Sequence, residues 1–127
     1  MPLVRAARRL AARWDLGVRL LPATDDEAET WVATDDGEMH FQEWWTRHRA
    51  TLPARAFLTK SPGPVTAGEG VLEAIASADA VLIAPSNPVV SIGTILEVPG
   101  IRDALSATSA RVVGLSPIIG GAVLRGM

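Results

Sequence analysis

The chain has 127 residues, enough for one domain, and 48% of them are hydrophobic, with Tyr absent, so aliphatic packing must dominate any core. Its net charge of −2 lacks the basic excess of nucleic-acid binders, and no apolar run reaches the ~20 residues of a membrane span. The absence of Cys excludes disulfides, thiolate metal sites and a cysteine nucleophile; with no signal-peptide pattern at the N-terminus, a cytoplasmic protein is expected.

Leu3, Ala6, Ala7, Leu10, Ala11 and Trp14 repeat at helical spacing, so residues 3–15 read as an amphipathic helix that Gly17 is placed to end. Arg5, Arg8, Arg9 and Arg13 then form its solvated side. Residues 18–21 are a short β-like run closed by Pro22. The polar cluster Thr24-Asp25-Asp26-Glu27 has two readings. Thr24 or Asp25 caps a turn or helix start, or a carboxylate there orients Mg²⁺ or a substrate hydroxyl.

Residues 29–34 alternate around Trp31 and Ala33, and the turn signal Asp35-Asp36-Gly37 lets residues 38–41 return as the second arm of a hairpin. Residues 42–50 look helical, with Trp44, Trp45 and His48 on or near one side. Adjacent helical residues point about 100° apart, so both Trp cannot face one flat ligand and at least one is expected in the core. His40 and His48 lie too far apart for an i, i+4 metal pair and read as packing or surface residues.

Residues 55–60 suit a strand, and Ser61-Pro62-Gly63-Pro64 breaks regular structure. Residues 70–78 read as a helix with Val71, Leu72 and Ile75 on its apolar side. The apolar run 80–84 is expected of a strand buried on both faces of a parallel sheet. A polar, turn-rich loop at 85–93 follows, then a helix at 99–106 with Pro99 in its first turn. A second buried strand at 111–115 runs into Ser116-Pro117 and Gly120-Gly121. This order is a βαβ unit, which argues for an α/β sheet with right-handed crossovers.

Ligands of open parallel sheets sit beyond the carboxyl ends of the strands. The loops 85–93 and 116–121 occupy that position. In the first, Ser86 and Ser91 offer hydroxyls, Asn87 an amide, and Gly93 a close backbone approach. Such neutral donors suit phosphate oxygens. Equally, Ser86 and Asn87 satisfy the backbone of tight turns; the residues alone leave both readings open. No Walker motif or GxGxxG is present.

The run Ala-Asp-Ala-Val-Leu-Ile-Ala-Pro-Ser-Asn-Pro-Val-Val-Ser-Ile-Gly at 78–93, with Val-Pro-Gly-Ile-Arg at 98–102 and Ser-Pro-Ile-Ile-Gly-Gly at 116–121, resembles the 2-phospho-L-lactate transferases of coenzyme F420 biosynthesis. Leu-Pro-Ala-Thr-Asp-Asp at 21–26 and Phe-Gln-Glu-Trp-Trp at 41–45 look like the actinobacterial branch, whose members accept a phosphoenolpyruvyl donor. The resemblance implies a Rossmann-like three-layer α/β fold with a mostly parallel sheet, incomplete because the N-terminal strand and glycine-rich loop are missing. Residues 1–127 would be a partial transferase domain, with a hairpin and helix insert at about 29–50 and a βαβ core at about 80–121.

It also implies the chemistry. A phospholactyl or phosphoenolpyruvyl group moves from a guanosine-diphosphate-activated donor to a hydroxyl of the deazaflavin Fo, GMP leaves, and Mg²⁺ assists. By the same resemblance Ser86, Asn87, Pro88, Ser91, Gly93, Thr24, Asp25, Ser116 and Pro117 would bind substrate, with Ser116 and Pro117 shaping the adjoining wall. It assigns no catalytic residue and no metal ligand in this chain, and leaves the oligomeric state open, a homodimer included. The alternatives are a noncatalytic nucleotide- or deazaflavin-binding module and an inactive remnant.

Overall fold

The computed structural model describes residues 3–123. Helix α1 (Leu3–Ala11) stops before the expected residue 15 and unwinds through turn bonds from the Arg13 and Trp14 N–H groups to the Leu10 and Ala11 carbonyls. Its buried residue is Val4, whereas Leu3, Leu10 and Trp14 of the expected apolar stripe are exposed. Periodicity located the helix but not the face that packs. Residues 18–21 are not a strand, because they join none of the sheets among the described residues.

The hairpin forms as its alternation predicts. Strands β1 (Glu29–Thr34) and β2 (Gly37–His40) pair antiparallel, and β3 (Ala56–Lys60) pairs antiparallel on the other side of β1. The turn is pinned by the Thr34 hydroxyl, which donates to the Gly37 carbonyl at 2.9 Å and accepts from the Asp36 N–H at 3.3 Å. Arg55 clamps it from outside with two 2.8 Å bonds to the Asp35 carboxylate. That contact lowers the Asp35 pKa and raises that of Arg55. Val32, opposite Met39 and Phe57, is fully shut off from solvent.

A π-helix follows β2 at Glu43–Arg47, its widened turn visible in the 3.2 Å bond from the His48 N–H to the Glu43 carbonyl five residues back. It ends in a wrap from the Ala50 N–H to the Trp44 carbonyl at 2.9 Å, with Arg49 and Ala50 both left-handed at φ 48° and 55°. Trp44 is in the core and Trp45 is partly exposed, stacked on Phe41, so one of the two Trp is core as expected.

The second half contains the expected βαβ unit. Helix α2 (Val71–Ala76) precedes strand β4 (Ala80–Ile83), which pairs in parallel with β5 (Arg111–Gly114) across a helical connection. Two expectations fail here. The segment 85–93 is no simple loop: a second π-helix spans Pro88–Gly93 and continues into α3 (Thr94–Glu97). The reason is Asn87-Pro88, a side-chain cap followed by a residue whose missing N–H costs nothing at a first turn. Helix α4 (Ile101–Ala107) starts after Pro99, behind a left-handed Gly100 at φ 87°.

The strands are also less buried than their apolar runs imply. Leu82 is 77% exposed, and every residue of β5 is exposed. Among the described residues the parallel sheet has two strands only, so each strand has an unpaired edge and a face that no described element covers. The fold is mixed α/β, and the larger sheet is antiparallel, against the expectation of a mostly parallel one. A short hairpin, β6 (Ile118–Ile119) and β7 (Ala122–Val123), closes the described chain through Gly120-Gly121.

Candidate functional site

The parallel pairing sets the site. Ile83 lies opposite Gly114, and the Leu115 N–H donates to the Ile83 carbonyl at 3.1 Å. The segments after β4 and β5 therefore leave neighbouring strands at the same, carboxyl end. This brings Pro85-Ser86-Asn87 and Ser116-Pro117 to one edge of the sheet, where ligands of parallel sheets bind.

Asn87 has a divided amide. Its Oδ1 accepts from the Val89 N–H at 2.9 Å and the Val90 N–H at 3.0 Å, capping the second π-helix. Those two N–H groups are thereby occupied by Asn87 itself. The Nδ2 donor has no partner among the described residues, and the same holds for the Ser86 hydroxyl. Ser91 and Gly93 lie one turn on. The Ser91 carbonyl takes the Thr94 hydroxyl at 2.8 Å. Gly93 is helical, and a Cβ there would sit 3.0 Å from the Pro88 carbonyl oxygen, so the π-turn itself needs the missing side chain. Pro88 supplies the first turn. Ser116 accepts the Ile118 N–H at 3.2 Å, shaping the turn into β6, and Pro117 beside it is half-buried.

Thr24 and Asp25 take different positions. The Asp25 carboxylate accepts the Val4 N–H at 2.6 Å and so caps α1, twenty-one positions earlier in the chain. Capping was one of the two readings of this cluster, although the helix involved is not the adjacent segment. Half-buried Thr24 lines a 390 Å³ cleft with Thr94 and Glu97, in which the Thr59 hydroxyl donates to Glu97 at 2.6 Å. Asp26 accepts the Thr66 hydroxyl and the Thr66 N–H, each at 2.7 Å. The Thr66 bonds hold its carboxyl below the usual carboxylate range, with Thr24 helping. Among the described residues no three His, Asp or Glu gather as a metal-holding group.

A feature of the site that composition hides is an apolar hollow of 320 Å³ lined by Asn87 together with Trp44, Phe57, Val89 and Val90. Its walls come from segments about thirty residues apart or more. The aromatic cluster at 41–45 was visible in the sequence, but nothing there tied it to Asn87.

A family model described as "2-phospho-L-lactate transferase CofD" matches residues 2–126. The chain belongs to this family. It is 57% identical over 132 residues to a phosphoenolpyruvate transferase of Mycolicibacterium smegmatis, covering 99% of this chain and 40% of that one. A phosphoenolpyruvate transferase of Thermobifida fusca is 54% identical over 130 residues, with the same coverage of 99% and 40%. The chain thus spans about 40% of the length of these curated relatives. Among solved structures, a crystal structure of a UPF0052-family protein of Bacillus halodurans matches with a TM-score of 0.71 at 23% identity, over 89% of this chain and 36% of that one. That likeness shows the fold. No helix among the described residues is long and apolar enough to cross a membrane.

Proposed function

We propose that this chain is the phosphate-gripping part of a transferase that moves a phosphoenolpyruvyl or phospholactyl group to an acceptor hydroxyl. The observation that carries the reading is the Asn87 amide, with its oxygen fixed to the Val89 and Val90 N–H groups and its Nδ2 donor unpartnered at the sheet's carboxyl edge. A donor held rigid by its own cap is preorganised for an anionic oxygen, and preorganised donors stabilise developing charge well because nothing must reorient. The Ser86 hydroxyl adds a second donor, and Ser116 and Pro117 form the adjoining wall.

In this reading the donor is activated by guanosine diphosphate and the acceptor is the deazaflavin Fo. A ribityl hydroxyl attacks phosphorus and loses its proton to solvent, the bond to the guanosine monophosphate oxygen breaks, and GMP departs with that electron pair. Mg²⁺ would supply charge neutralisation during transfer, and its carboxylate ligands would come from parts of the full-length enzyme outside this chain. The β4–β5 pair would be part of a larger, mostly parallel Rossmann-like sheet, and the enzyme would be cytoplasmic. Membership of the transferase family and the location of Ser86 and Asn87 support this account.

Ser86→Ala and Asn87→Asp in a full-length enzyme carrying this segment should each lower the rate of GMP release by roughly a hundredfold, the typical loss for one charge-stabilising donor. Unchanged turnover in both would remove the assigned roles. A second reading is a nucleotide- or deazaflavin-binding module without turnover. Incubating a full-length enzyme carrying this segment with Fo and the activated donor separates the two: GMP release indicates the enzyme, binding without release the module.

A further inference from the structure

We infer that Thr59 and Glu97 are positioning residues, whose hydrogen bond sets where the Asn87 amide stands at the carboxyl edge of the parallel pair. This rests on the phosphate-grip reading of Asn87 and deepens it, by assigning the part of the molecule that aims the donor.

Asn87 heads a stiff rod. The second π-helix, six residues long, runs without a break into the four residues of α3, because Gly93 and Thr94 at the junction both keep right-handed helical dihedrals. The junction is tight. A Cβ on Gly93 would sit 3.0 Å from the Pro88 carbonyl oxygen, and the Thr94 hydroxyl donates back to the Ser91 carbonyl at 2.8 Å. Asn87 caps one end of the rod, and Glu97 is its last residue before Val98 turns extended at ψ 123°.

The antiparallel sheet holds this rod at two places, both on β3. Phe57 and Thr59 are two positions apart in the strand, so they share one face of the sheet, that of Val32. Near the Asn87 end, Phe57 lines the 320 Å³ hollow together with Val89 and Val90. At the far end the Thr59 hydroxyl donates to the Glu97 carboxylate at 2.6 Å. Lys60, the next residue of β3, belongs to the opposite face, bonded to Glu38 at 2.6 Å and lying 4.1 Å over the Trp31 ring. It leaves Glu97 to the hydroxyl.

The two mounts differ in kind. Apolar contact is non-directional and permits sliding. A hydroxyl-to-carboxylate bond at 2.6 Å has the length of a charge-assisted one, roughly twice as strong as its neutral counterpart, and it fixes direction. A stiff rod transmits a slip along its axis undiminished, so a shift of about 1 Å at Glu97 becomes about 1 Å at Asn87. Groups that act on a reacting phosphate must be held within about 0.5 Å.

The 127-residue chain supplies the test through Thr59→Val, which keeps the shape and loses the hydroxyl, and Thr59→Ser, which keeps it. Both Thr59 and Glu97 are exposed, so these changes should not prevent folding. Two quantities are read: pyrophosphate affinity by calorimetry, and the Asn87 side-chain amide signals by NMR. Thr59→Val should weaken pyrophosphate roughly fivefold and displace the Asn87 signals, while Thr59→Ser should restore both. Glu97→Gln, which keeps an acceptor without the charge, should fall between them. A bond that serves stability alone would lower the melting temperature of Thr59→Val and leave affinity and Asn87 signals as in the native chain; that result would overturn the inference. Equal losses in Thr59→Val and Thr59→Ser would overturn it too. Should the native chain fail to bind pyrophosphate, the grip reading falls instead, and the Asn87 signals still decide whether Thr59 and Glu97 set the amide's place.

Discussion

The antiparallel sheet, mixed in composition, and the more aliphatic parallel pair end in opposite states of burial. Val32 in β1 is 0% exposed and Trp44 beside that sheet is 3% exposed, whereas Leu82 in β4 is 77% exposed. Intrinsic hydrophobicity does not explain this, since Leu82 lies in the most continuously apolar run of the chain. Partners do. β1 has a neighbour on each side and an aromatic cover of Phe41, Trp44 and Phe57, while among the described residues β4 and β5 have only one another as strand neighbours and helices near one face. Burial energy is realised where a second surface arrives, at roughly 25 cal/mol per Å² of apolar area removed from water. The first region is held by its own core; the second is held by backbone pairing and the helices on one face.

Truncation should expose that contrast. Trp44→Ala should produce the largest loss, about 3–5 kcal/mol in urea denaturation, because it empties a core volume and orphans the Leu52 carbonyl. A loss below about 1 kcal/mol would mean that the aromatic cover is not the core of the first region. Gly100→Ala comes next, at about 1–3 kcal/mol, since the residue must hold φ 87° and its new Cβ would meet Leu72 Cδ1 at 3.2 Å. Stability unchanged in that variant would show that α4 is not locked against α2.

The effect of Asp26 is conditional on pH. Its carboxyl titrates below its ordinary value through the Thr66 bonds, so its contribution is present above the unfolded pKa of about 3.9 and is lost as pH falls through the folded value. Asp26→Asn should therefore lower the melting temperature at neutral pH, with the gap to the native chain closing in acid. A gap that does not depend on pH would assign the loss to geometry rather than charge. The smallest change is expected at Leu82→Ala, within about 0.5 kcal/mol, the range of surface substitutions. A loss like that of Trp44→Ala would show that β4 is covered in solution, for instance by a second copy.

The sequence made legible whatever is local. Alternation around Trp31, the Asp-Asp-Gly turn and the aliphatic runs at 80–84 and 111–115 located the hairpin and the parallel pair. The helical start at Asn87-Pro88 was legible too, as a cap followed by Pro, but the polar composition of 85–93 outweighed it. Long-range pairings were not. Nothing at Asp25 indicates Val4 as its partner, and nothing at Phe57 indicates Asn87 as a neighbour across a hollow. Ser86 and Asn87 follow the end of β4, as their place after the apolar run implies. What the sequence could not divide was the work of the Asn87 amide, because both readings, cap and ligand donor, use the same side chain.

One substitution separates those two uses. Asp caps helices about as well as Asn, so Asn87→Asp keeps the acceptor for the Val89 and Val90 N–H groups while replacing the free donor with a charged oxygen. The decisive measurement is pyrophosphate affinity and melting temperature, taken together on the native chain and Asn87→Asp at neutral pH. A phosphate grip predicts an unchanged melting temperature and affinity weaker by roughly tenfold or more. Equal affinity in the two proteins would contradict it and leave Asn87 as a helix cap alone.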